Sequence, residues 1–160
     1  MTRTHRIPAR LLAGALAFVA SALHADPPAA HYCEVAIDFS LDGKRIAAPS
    51  ALVAFGEEAE VTIGNPDEHA WRFRILAGAP AVERRVAAIP VSIALDEIAQ
   101  GTAYPRASPA LRAVPGQNVE IETIFGGGDG RHAHLAVVAN PRSDADVAAM
   151  RAQASEHEDN

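Results

Sequence analysis

The sequence predicts an all-β fold: a single-domain antiparallel β-sandwich or small barrel of about seven or eight strands, followed by a short C-terminal helix. Three observations carry that expectation. Apolar and polar residues alternate with period two from Tyr32 onward. Turn formers interrupt the alternation at short intervals, drawn from 11 Gly and 11 Pro in 160 residues. A pattern of another kind, capped by Ser143 and acidic at its start, begins only near the C-terminus.

The strands follow in order. Cys33, Val35, Ile37, Phe39 and Leu41 fall on one face, and Asp42-Gly43 supplies the positive-φ pair of a tight hairpin. Ala51 to Phe55 reads as a strand, and Gly56-Glu57 turns it into a return strand with Ala59, Val61 and Ile63 inward. After the Gly64-Asn65-Pro66-Asp67 break, Trp71, Phe73 and Ile75 alternate with Arg72 and Arg74. Ile89, Val91, Ile93 and Leu95 form the next inward row. The stretch 101–109 reads as loop, because Pro105 and Pro109 discourage regular structure. Ala110 to Val114 and Val119 to Phe125 read as a second hairpin about Pro115-Gly116, with His132 to Ala139 as the last strand. The helix then runs from Ser143 through Val147, Met150 and Arg151, and Ser155 to Asn160 reads as a frayed acidic tail.

Residues 1–25 carry the pattern of a secretory signal peptide. Arg3, Arg6 and Arg10 precede the apolar run Leu11 to Leu23, which is too short to span a bilayer, and small residues allow cleavage after Ala22 or Ala25. The expected organisation is therefore a leader at 1–25, a β-rich domain at 26–141 and a helix with an acidic tail at 142–160. Loss of the three arginines would take the formal charge from −6 to about −9. Together these imply a bacterial periplasmic or secreted protein with no stable membrane insertion once the leader is removed. Lys44 is the only lysine, so a nucleic-acid partner, which needs clustered basic residues, is not expected.

Few residues invite chemistry. His132 and His134, two apart on one strand, project to the same face and could share a zinc or copper ion. His69 or His31 would supply a third ligand, and Asp129 could accept a ring N–H. The competing use of the two histidines is to decorate a solvated face opposite Leu135 and Val137. Cys33 runs in phase with core residues and reads as a buried thiol. The glycine-rich loop 126–130 lacks a following Lys-Ser or Lys-Thr and opens no helix, so it is no phosphate cradle. Glu57, Glu58 and Glu60, like Glu120 and Glu122, read as solvated strand faces, not as the spaced carboxylates of a glycosidase. Gly-x-Ser-x-Gly and His-Glu-x-x-His do not occur, so no catalytic residue is assigned.

Ala48-Pro49-Ser50-Ala51-Leu52-Val53, with Gly56, Glu58-Ala59, Val61, Ile63 and Gly64, resembles a hairpin of bacterial secretins. The resemblance covers residues 48–64 and implies envelope residence and strand-mediated assembly; the pore-forming strands of a secretin have no counterpart here. The expectation is thus a non-catalytic β-sandwich that binds another envelope protein, with metal binding at His132 and His134 as the alternative.

Overall fold

The computed structural model describes residues 29–83, 85–125 and 130–158. The expected leader, Asp129 and most of the glycine-rich loop lie outside the described residues. Among the described residues eleven strands form two antiparallel sheets with no closed barrel, an all-β sandwich, and one helix follows them.

The first sheet grows on β1 (Ala30–Leu41), which pairs along its length with β11 (His132–Ser143). Val35 meets Ala139, Ile37 meets Val137 and Phe39 meets Leu135 in that register. On the far side of β11 lies β10 (Asn118–Ile124); the far side of β1 is shared by β2 (Lys44–Ala47) and β3 (Ser50–Ala54). The second sheet grows on β7 (Val86–Ala99), flanked on one side by β5 (His69–Ala77) and then β4 (Glu58–Asn65). The other side of β7 carries three short strands, β6 (Ala81–Glu83), β8 (Thr102–Ala107) and β9 (Ala110–Ala113).

The alternating rows meet between the sheets. Cys33, Val35, Ile37 and Phe39 face Trp71, Phe73 and Ile75, with Ile89, Val91, Ile93, Leu95, Leu135 and Val137 completing the buried layer. Phe39 packs edge-on to Trp71 at 5.0 Å and to Phe73 at 5.7 Å between ring centroids, a favoured geometry for aromatic quadrupoles. The Asp42-Gly43 turn forms as expected, with φ of 49° and 78°.

Four expectations need correction. The described residues form eleven strands, not seven or eight, because two sheet edges are each built from short pieces: β2 and β3 are separated by Ala48-Pro49, β8 and β9 by Ser108-Pro109. The stretch read as loop contains β8; Pro105 sits opposite Asp96 on a sheet edge, where a missing N–H is tolerated. The hairpin about Pro115-Gly116 does not form, since β9 pairs with β7 and β10 with β11, so the turn carries the chain from one sheet to the other. The turn at Gly56 does the same between β3 and β4. Turn residues fix where a chain reverses but not which sheet it enters. Finally, the helix α1 (Asp144–Glu158) runs on through most of the expected tail. Asp146 accepts from the Ser143 N–H at 2.9 Å and hydroxyl at 2.8 Å, and Ser143 Oγ accepts from the Asp146 N–H at 3.3 Å, a reciprocal cap that fixes its start. No described helix is long and apolar enough to cross a membrane.

Candidate functional site

Period-two geometry puts His132 and His134 on the outward face of β11, with Ala133 and Leu135 buried beneath. Across the ladder His134 sits opposite Glu122 on β10 and Ser40 on β1. These residues, with Gly43, line an open depression of about 400 Å³. His134 Nε2 lies 3.8 Å from Glu120 Oε2. The other histidines are elsewhere. His69 begins β5 in the second sheet, and His31 reaches Asp144 at 3.0 Å, near the other end of β1. The structure therefore gathers His132 and His134 with Glu122 but not with His69 or His31, and no three metal-ligating side chains converge among the described residues. Cys33 is fully buried as expected; burial pushes its thiol up to about 11 against a lowering backbone hydrogen bond at Asn140.

What His69 does instead could not be read locally. Its Nε2 lies 2.8 Å from Glu97 Oε1, while Arg106 Nε and an Arg131 guanidinium nitrogen each donate to Oε2 at 2.8 Å. Glu97 continues the inward row of β7 beyond Leu95 and is only 8 % exposed. Burial alone would raise its carboxyl pKa, but hydrogen bonds from His69, Arg131 and Arg106 outweigh it and bring it down to about 2. Glu97 is thus ionised and acceptor-only, so His69 Nε2 carries the proton between them. One carboxylate ties β5, β8 and the lead-in to β11 at the end of the sandwich where Trp71 and Phe125 pack at 5.7 Å. The sequence signal was an acid at a core-phase position, which demands partners.

On the outer face of the same sheet, Asp96 accepts from Arg72 Nε at 3.0 Å and Nη2 at 2.7 Å, with an Arg74 nitrogen at 3.5 Å. The carboxylate is 3 % exposed beneath the two arginines.

The sheet edges differ in how they are finished. The edge formed by β2 and β3 is broken at Pro49 and slips in register between Phe39 and Ser40. The edge formed by β8 and β9 is broken at Pro109 and slips between Leu95 and Asp96. Such breaks are how sheets avoid unwanted pairing. By contrast, β4 and β10 run eight and seven residues without proline or register shift.

The ladder direction in β10 can be traced. The Phe125 N–H donates to the Arg131 carbonyl at 3.0 Å, whereas His132 turns its carbonyl to the Asp42 N–H at 2.8 Å and its N–H to Asp42 Oδ1 at 2.9 Å. In an antiparallel ladder bonded and non-bonded pairs alternate, so Ile124, Glu122, Glu120 and Asn118 point their N–H and C=O groups away from β11, to the open side. No family model, curated protein or solved structure matches the chain.

Proposed function

We propose that this chain is an exported, non-catalytic module of the bacterial envelope that binds another protein by accepting an extended segment at an open sheet edge. One observation carries the reading: two edges are proline-broken and register-shifted, while β4 and β10 run without proline or register shift and, among the described residues, pair on one side only. Unpaired strand edges are templates for strand addition, with main-chain hydrogen bonds giving affinity and alternate side chains giving selectivity. Export to the periplasm or beyond rests on Arg3, Arg6, Arg10 and the apolar run after them. A photo-crosslinking residue placed in turn at Glu60, Glu122, Lys44 and Ala154 tests the reading in the host envelope. Discrete crosslinked products from Glu60 or Glu122 alone support it; products only from Lys44 or Ala154 refute it.

A second reading, zinc or copper binding by His132 and His134, is favoured by the depression that the two imidazoles share with Glu122. Equal metal affinity in the chain and in a His132→Ala/His134→Ala variant would refute it.

A further inference from the structure

We infer that β10 is the receiving edge and that its partner is an extended basic segment, with Lys or Arg at alternate positions and apolar residues between them. The inference rests on the strand-addition reading above and goes beyond it by choosing the edge and the chemistry of the occupant.

The backbone sets the register. Because Asn118, Glu120, Glu122 and Ile124 face the open side with both main-chain groups, an added strand forms its bonded pairs with them. Side chains directly opposite in such pairs stand about 5 Å apart at Cβ, so the two partner residues facing Glu120 and Glu122 are two apart and lie on the outer face. The intervening partner residue points toward the core beside half-buried Val119, Ile121 and Thr123, which favours an apolar side chain there.

Charge selects between edges. Glu120 and Glu122 are exposed on the outer face of β10, and among the described residues Glu120 has only Asn118 at 3.3 Å and His134 at 3.8 Å beside it. The cross-strand neighbours on β11 at that face are His132, His134 and Ala136, none of them a Lys or Arg. On β4 the corresponding acid is compensated: Glu60 sits opposite Arg74 and its charge is felt by Arg72. An added strand with two cations therefore meets two carboxylates with no Lys or Arg opposite them on β10, whereas on β4 one of the two, Glu60, already faces Arg74.

The same charges argue against a second copy as the occupant. Antiparallel self-pairing of β10 about Ile121 sets Glu120 against Glu122 twice, and pairing β10 with β4 of another copy brings Glu58 and Glu60 to the same face. Like charges directly opposite destabilise strand pairs.

The test uses a fluorescein-labelled nine-residue peptide alternating Lys with Val, beside its Glu-for-Lys counterpart, read by anisotropy on the purified chain. The Lys peptide binds, the Glu peptide does not, and E120K/E122K lowers affinity at least about tenfold. Glu122→Pro removes an N–H from the open side without breaking a bond to β11, and it lowers affinity by a similar factor relative to Glu122→Gln, which loses the same charge but keeps the N–H. Circular dichroism melts of each variant confirm that the sandwich persists. Equal binding by Glu122→Pro and Glu122→Gln would reduce the contact to charge attraction and overturn strand addition at β10. No binding of the Lys peptide would overturn the inference, yet crosslinks from Glu60 would leave the broader reading standing.

Discussion

Replacing Glu97 by Gln keeps the shape of the side chain and removes its charge from among His69, Arg106 and Arg131. The gap between an ordinary carboxyl at 4.5 and about 2 in the fold is worth about 3 kcal/mol, at about 1.4 kcal/mol per pH unit. The side chain is only 10 % exposed, so solvent screening takes little from that figure. The sign follows from linkage. A carboxyl whose pKa is lowered by folding stabilises the native state at pH above its unfolded value, and that stabilisation drains away as pH falls from near 4.5 toward 2. Urea unfolding of the parent and of Glu97→Gln at pH 7, 5, 3.5 and 2 should show a gap of about 3 kcal/mol at pH 5 and above that closes across the acid window. Other carboxylates titrate in both proteins, so the difference between the two curves isolates Glu97. Parallel curves at every pH would mean that the hydrogen bonds to Glu97 do not lower its pKa as argued.

Three more outcomes follow from packing and backbone geometry. Phe39→Ala empties the centre of the aromatic cluster and should cost about 3–5 kcal/mol by denaturant melt; a loss under about 1 kcal/mol would contradict the core as described. Gly64→Ala forces a side chain at φ +107° with its Cβ 2.6 Å from the His69 carbonyl, so the variant should melt lower by about 1–3 kcal/mol of stability, and an unchanged melting temperature would refute the strain. Cys33, buried with its thiol pushed up to about 11, should resist a thiol reagent at pH 8 until urea unfolds the chain; prompt labelling of the native protein would show that β1 opens locally.

How much could be read in advance depended on whether the cause was local. The inward rows of β1, β5 and β7 were legible because a sandwich buries one face of each strand, and period two records that directly. The destinations of the turns at Gly56 and Pro115-Gly116 were not, since the same residues serve a hairpin and a crossing between sheets. Pro105 misled for a related reason: proline lacks the N–H that a ladder uses, but β8 is an edge, where that loss is tolerated. The pairing of His132 with His134 was legible from spacing, whereas their neighbour Glu122 and the bond from His69 to Glu97 depend on which strands lie side by side. Acids in phase with a core row, such as Glu97 after Leu95, are the trace such networks leave in a sequence.

The central claim is that an extended partner adds to the open edge of β10. Backbone amide hydrogen exchange, measured by NMR on the free chain and on the chain saturated with the Lys-Val peptide, tests it most directly. Strand addition requires the amides of Glu120 and Glu122, which face the open side, to slow by at least about tenfold, while those of α1 keep their free rates. Saturation with both amides still exchanging at their free rates would contradict it.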